Sequence, residues 1–243
     1  NSRSMALYTR VATSYELWVL SETIKALRNA GGKPLSNKVL IPEGQTYTPA
    51  ITLKFGNKCV HTLYQVSIIT NMARGSEENP CIPKWLTECI NKCGIGKSEE
   101  THVTPDIILM ATNCDEELSL ECQWPFYVTH FDMLSLNRLL IDDHFLTWRM
   151  PLTWQYPEKI PLIIEAKLSL SRARGIKIAI KQACMYKCLL RDKPRITVVT
   201  HDSVNNKTKN ELAKAGATVI DELRPGNETR INKLLSMIRD SLK

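Results

Sequence analysis

Apolar residues recur along residues 8–30 at three- and four-residue steps. Leu17, Leu20, Ile24 and Leu27 make one stripe, and this spacing predicts an amphipathic helix. Gly31-Gly32 predicts its stop, with Pro34 just beyond. Between residues 38 and 70 the pattern changes to strand-length runs, Val39–Ile41, Ala50–Phe55 and Val60–Thr70, separated by Gly44, Pro49 and Gly56-Asn57. These predict a strand meander. Residues 71–104 are irregular, around a short helix near Trp85–Cys93. Thr104–Met110 predicts a strand built on Ile107-Ile108-Leu109, and Pro161–Ala166 predicts another. Then come a helix near 174–190, a strand at 196–200, a helix at 203–215 ending at Gly216, a strand at 217–220 and a helix at 228–242.

Strand and helix thus alternate in the C-terminal half, which implies an α/β fold with parallel neighbours and helices packed on the sheet faces. The N-terminal meander adds antiparallel strands, so the expected central sheet is mixed. Residues 111–160 read as an acidic, aromatic-rich insertion holding Trp124, Phe126, Tyr127, Phe131, Phe145, Trp148, Trp154 and Tyr156, with a helix within 135–148. Its aromatics imply packing or a dimer contact more than a wedge at an unpaired base. One domain is expected: residues 5–110 as helix and meander, 111–160 as insertion, 161–243 as a basic C-terminal part. Asn1–Ser4, before Met5, read as a cloning remnant.

Charges interrupt two of the apolar strands. In Pro161-Leu-Ile-Ile-Glu165-Ala-Lys167 the alternation of side chains sets Glu165 and Lys167 on one face. A carboxylate and an ammonium at the end of a buried strand cost free energy unless they are paired or bind metal. In Thr104-Pro105-Asp106-Ile-Ile-Leu a second carboxylate opens another apolar strand, and Pro is tolerated at a strand's first position. If the two strands are neighbours, Asp106 meets Glu165. Two such carboxylates repel, and a divalent cation removes that cost. Hard oxygen ligands with few protein contacts suit Mg²⁺, with Mn²⁺ as a substitute. Lys167 is then placed to position or deprotonate a water, or to stabilise charge developing on phosphorus.

Pro105-Asp106 followed by Glu165-Ala166-Lys167 resembles the signature of the PD-(D/E)xK nuclease superfamily, which includes restriction endonucleases, archaeal Holliday-junction resolvases and RecB-type nucleases. The order of helix, strand meander, helix and strand from Tyr8 to Thr200 is similar to that superfamily's core. Gln182 and Tyr186, four apart on the helix after the ExK strand, match the QxxxY motif of the RecB-like members. Both side chains share one helix face. The resemblance implies a restriction-endonuclease-like fold and a magnesium-dependent DNA endonuclease, a hydrolase in which water attacks phosphorus in line to leave 5′-phosphate and 3′-hydroxyl ends. It implies Asp106, Glu165, Lys167, Gln182 and Tyr186 as the catalytic set and Asp106 and Glu165 as metal ligands. Glu16, on the inward stripe of the first helix, is a further candidate ligand; Glu22, on the opposite face, fits worse. The chain departs from the pattern in one respect: 58 residues lie between Asp106 and Glu165. If the strands are not adjacent, Asp115 or Asp132 would replace Asp106. The cysteine spacing does not match the iron–sulfur cluster of some RecB-type relatives.

Composition changes this picture mainly through charge. The net charge is +7, and residues 161–243 carry 17 basic against 8 acidic side chains. A basic C-terminal third attracts polyphosphate, and Arg172, Arg174, Lys177, Lys181 and Lys187 are candidate contacts to a DNA backbone. The acidic insertion is not expected along the duplex. His201 and Asp202 read as a helix-capping turn. Eight cysteines include no CxxC pair, so a zinc ribbon is not indicated. Cys184 and Cys188 share a helix face as two ligands could, but buried reduced thiols are the favoured reading for an intracellular protein; a hyperthermophilic source would favour pairing of Cys81 or Cys89. No apolar run long enough for a membrane span and no secretory signal pattern is found, so a cytoplasmic protein without a membrane partner is expected. DNA is the expected partner, with a homodimer or a larger nuclease complex open. The competing function is a catalytically silent nuclease-fold subunit that binds DNA or supports assembly.

Overall fold

The computed structural model of the chain describes residues 2–35, 49–65, 88, 91–94, 105–114, 160–190 and 194–242. Within these residues it is an α/β structure in which a mixed seven-stranded sheet is flanked by four helices. The strands are β1 (Lys33–Pro34), β2 (Ile51–Phe55), β3 (Lys58–Tyr64), β4 (Ile107–Asn113), β5 (Leu162–Lys167), β6 (Arg195–Thr200) and β7 (Ala217–Ile220). They lie in the sheet in sequence order, antiparallel from β1 to β5 and parallel from β5 to β7. The helices are α1 (Ser2–Asn29), α2 (Ala173–Leu189), α3 (Asn206–Lys214) and α4 (Glu228–Ser241).

This order determines which face each helix covers. The crossovers β5–α2–β6 and β6–α3–β7 step in the same direction along the sheet. With the usual right-handed connection, both helices then fall on one face. There Ala179, Ala183 and Tyr186 of α2 and Leu212 of α3 pack on Ile108, Ile163, Ile196 and Val198. α1 and α4 cover the other face, where Val19, Leu20, Leu27, Leu234 and Ile238 meet Leu53, Ile107, Leu109, Leu162, Ile164 and Val199. The alternation along β5 is therefore literal: Leu162, Ile164 and Ala166 face α1 and α4, and Ile163 faces α2.

α1 stops where its glycines require. Gly31 adopts φ 100°, and the N–H groups of Gly31 and Gly32 donate to Arg28 O at 2.9 Å and Leu27 O at 3.1 Å. This is a Schellman cap. Gly32 has a second constraint, since a Cβ there would lie 2.6 Å from the Phe55 ring.

The expected elements that fall on described residues are present, with shifted ends. α1 extends back through Ser2–Ser4, the segment read as a cloning remnant. β4 continues to Asn113, so residues 111–113 belong to the sheet and not to an insertion. The seventh residue of β4 still pairs with Lys58, because the antiparallel pairing of β3 and β4 continues past the apolar run. The short β1 has no counterpart in the sequence reading. Val39–Ile41, most of Trp85–Cys93, Asp115, Asp132, Cys81, Cys89 and residues 115–159 lie outside the described residues.

The cysteines depart from expectation. Cys59 and Cys114 form a disulfide with Cα atoms 5.0 Å apart. Cys93 and Cys184 form another, and Cys188 is also disulfide-bonded. Reduced thiols are thus the wrong reading for these five. The register explains the first pair: Cys59 lies opposite Thr112, which brings Cys114 to the same strand end. Among the described residues, no helix is long and apolar enough to cross a membrane.

Candidate active site

Asp106 and Glu165 meet because β4 and β5 are neighbours. The paired residues run Leu109 with Leu162, Ile108 with Ile163 and Ile107 with Ile164; one step further sets Asp106 opposite Glu165. The contact is fixed by the backbone as well, since the Ala166 N–H donates to Asp106 Oδ2 at 2.7 Å. The Asp106 carbonyl accepts from Gln65 N–H at 2.9 Å, which ties the end of β3 into the same edge. The condition on Asp106, adjacency across 58 intervening residues, is therefore met.

Lys167 closes the group. Its Nζ donates to Glu165 Oε1 and lies 3.7 Å from Asp106 Oδ2. The Tyr186 hydroxyl, from α2, donates to Glu165 Oε2 at 2.8 Å. Both oxygens of Glu165 are thus engaged by named donors. Glu165 and Tyr186 are buried, while the Lys167 side chain keeps 26% of its exposure. The group lies at the carboxyl end of β5, the strand where the sheet changes from antiparallel to parallel pairing.

Glu16 stands beside it. α1 brings its carboxylate to Gln65 Nε2, which donates at 2.9 Å, and to the Tyr64 hydroxyl, which donates at 3.4 Å. Glu22, assigned to the outer face, is instead buried and pairs with Lys25 at 2.7 Å. Tyr64 and Gln65 were not legible as site residues. Their contacts to Glu16 span almost fifty residues of sequence, and no local pattern marks them.

Burial and mutual repulsion set the protonation of the group. Burial first, then the charges of Glu165 and Glu16, push Asp106 well above its ordinary value, against the lowering effects of Lys167 and the Ala166 N–H. Burial likewise raises Glu16, although Lys167, Gln65 and Tyr64 oppose it. For Lys167 burial disfavours the ammonium, but Glu165, Asp106 and Glu16 override this and raise it. Burial and the two carboxylates raise Tyr186 well above the usual phenol range, so it remains a donor. One ammonium thus leaves the acids under-compensated.

That deficit is what a divalent cation would relieve. Among the described residues, no three His, Cys, Asp or Glu side chains are grouped to hold a metal ion. Two carboxylates are nonetheless a sufficient protein share for magnesium, which completes its shell with water and substrate oxygens. Asp106 and Glu165 fit that role. Glu16, whose Oε2 accepts from Gln65 and Tyr64, stands beside the pair as the further candidate ligand.

Gln182 lies one turn before Tyr186 on α2. Its Oε1 is buried and, among the described residues, has no hydrogen-bond partner, an arrangement native proteins rarely leave without a use. Arg172, the N-cap of α2, and Arg174 and Lys177 in its first turns are exposed. Lys181 is half-buried in mid-helix. Lys187 is set apart: in the last turn of α2, its aliphatic chain covers Gly216 before β7, toward the amino edge of the sheet. No family model, curated protein or solved structure matches the chain.

Proposed function

We propose that the chain is a metal-dependent DNA endonuclease with a restriction-endonuclease-like core of the PD-(D/E)xK type. The observation that carries this reading is the convergence of Asp106, Glu165 and Lys167 on neighbouring strand ends, with Tyr186 of the next helix bound to Glu165. The mixed sheet with a leading helix on one face and α2 on the other is compatible with it. Magnesium, held by Asp106 and Glu165, would supply Lewis-acid polarisation of the phosphate and a more acidic water. The chain's own residues do the rest. Tyr186 fixes the Glu165 carboxylate by holding Oε2. Lys167 holds the attacking water or neutralises charge on a phosphoryl oxygen. Gln182, one turn before Tyr186 on α2, offers its buried Oε1 as a further acceptor. Arg172, Arg174 and Lys177 bind the backbone of the strand without reading its sequence.

Cleavage of plasmid and linear DNA with Mg²⁺, with Mn²⁺ and with EDTA tests the reading. Wild-type protein is expected to cut with either metal. E165A and K167A are expected to lose about 10²–10³-fold or more in rate, the scale for removal of one group that stabilises the transition state. Unchanged cutting by both variants would remove the proposal.

One observation favours a second reading, a catalytically silent subunit that binds DNA. Lys167 already pairs with both acids, so the group is partly neutralised without metal. Salt-sensitive DNA binding with no scission under any metal would support that reading.

A further inference from the structure

A second set of polar side chains stands at the same sheet edge. His201 and Asp202 follow β6, where the sequence pattern reads as a helix-capping turn. The cap is elsewhere: α3 starts after Asn205, whose side chain accepts from Thr208 N–H at 2.9 Å. His201 and Asp202 are instead tied to the strand ends. Asp202 O accepts from Thr200 Oγ1 at 2.7 Å and from Glu222 N–H at 3.3 Å. His201 N–H donates to Lys167 O, also at 3.3 Å.

The imidazole is held as firmly as its backbone. Nδ1 lies 3.0 Å from Asp202 Oδ1. The Tyr15 ring of α1 meets it edge-on at 5.8 Å, and the Tyr15 hydroxyl is anchored on Leu223 O at 2.9 Å. Ser169, from the loop after β5, also bonds Asp202, and Arg224 lends its charge from beyond β7. The bond from His201 is the first cause holding the Asp202 carboxyl below its ordinary value, followed by burial acting in the opposite sense and the bond from Ser169. Asp202 is therefore an acceptor, which places a proton on Nδ1. Nε2 is left as the nitrogen that a ligand can meet, on a side chain 37% exposed.

The location gives this group a purpose. Lys167 pairs with Thr200 across the parallel register, so His201 is level with Leu168. One strand spacing, about 4.8 Å, separates its backbone from Leu168, the residue after Lys167, on the side away from Asp106, and its ring turns toward α1, where Tyr15 meets it. A free surface histidine would sample many rotamers; this ring is held by Asp202 beside it and by the Tyr15 ring of α1. Fixing a side chain in this way is what a binding contact needs.

We propose that His201 contacts the substrate, with Nε2 donating to a phosphate oxygen of the nucleic-acid strand next to the scissile phosphate, and that Asp202 is its positioning residue. The proposal rests on the nuclease reading above. With both ring nitrogens protonated, Nε2–H makes a charge-assisted bond to phosphate, while Nδ1–H keeps its bond to Asp202 Oδ1.

Four variants test it: H201A, H201F, which keeps the ring contact to Tyr15 but lacks both nitrogens, H201Q, which keeps a donor near Nε2, and D202N. Binding of a labelled DNA duplex is measured by fluorescence anisotropy in EDTA, and cleavage kinetics are measured with Mg²⁺. H201A and H201F are expected to raise Kd and KM about tenfold, the scale of one hydrogen bond to a charged group. Their kcat should change little, and H201Q should recover most of the loss. D202N should act in the same direction as H201A with Tm unchanged. Wild-type Kd and KM in folded H201F would overturn the proposal, whatever H201A does. DNA bound but uncut by wild type removes the nuclease reading and leaves the anisotropy comparison to decide on His201. No DNA binding by wild type, in EDTA or with Mg²⁺, removes both.

Discussion

At the scale of single residues, Asp106 carries the tension of the site. Its folded value lies above its unfolded one, so the folded state binds more protons than the unfolded state between those two values. Stability therefore falls as pH rises through the ordinary carboxylate range toward the raised value, and the penalty is complete above it. D106N removes the charge and keeps an oxygen to accept the Ala166 N–H. Without divalent ions it is expected to raise Tm by about 2–4 °C, the response of a domain this size to about 1 kcal/mol, while abolishing cleavage. Thermal scans across pH 4–8 (about;) check this: the gap between D106N and wild type should widen with pH and then level off. Lys167 is raised as well, but near neutral pH it contributes stability where Asp106 costs it. Its raised value means its stabilisation is complete below the unfolded lysine value and is lost only in alkali. K167A should therefore cost more stability at pH 8 than at pH 5, where Asp106 can take up a proton instead. Asp106, Glu165 and Lys167 were legible because each interrupts an apolar run at a strand end. Gln65 and Tyr64 were not, because only the fold brings them to Glu16.

At the scale of elements, α2 links the site to the core. Tyr186 is fully buried and is the donor to Glu165 Oε2. Y186F should cost about 1–3 kcal/mol, the range for leaving a buried acceptor unpaired, and should slow cleavage because Glu165 loses a fixed orientation. Urea melts and single-turnover rates measure the two effects separately. The same helix is held by Cys184, bonded to Cys93 across 91 residues of sequence, and by Cys188. Closing so long a loop restrains the unfolded chain, so reduction is expected to lower stability by about 2–4 kcal/mol; melts with and without a phosphine reductant test it. This pairing was not legible, since partners so far apart leave no spacing signal. The meander, by contrast, was legible from strand-length apolar runs, but not the histidine within it. His61 of β3 sits between Thr52 Oγ1 and Thr112 Oγ1, each at 2.9 Å, and burial lowers it to about 4. It folds neutral. Its contribution is complete above the unfolded value of about 6.5 and is lost as pH falls toward the folded one.

At the scale of the whole molecule, two opposite demands meet. The basic C-terminal part attracts a polyanion, while three acids gather at the edge where that polyanion would be cut. Phosphate approaching Asp106, Glu165 and Glu16 is repelled unless something offsets their charge, and Lys167 offsets only part of it. Metal and substrate are therefore expected to bind with mutual support. The order of strands explains why such a site can form: consecutive neighbours require no long crossover before β5, so the two acids meet by hairpin-like pairing whatever lies between residues 114 and 160. The measurable consequence concerns protons. Metal binding must displace the proton that Asp106 retains more readily than an ordinary carboxyl group, so apparent affinity for magnesium should rise with pH. A ligand that binds only the folded state raises Tm by an amount that grows with its concentration over Kd. Added Mg²⁺ should thus raise the Tm of wild type more at pH 8 than at pH 5.5 (about;), and should leave D106N nearly unmoved at both. An equal shift in D106N would mean that the ion binds elsewhere, and the acid pair would lose its place as the metal site.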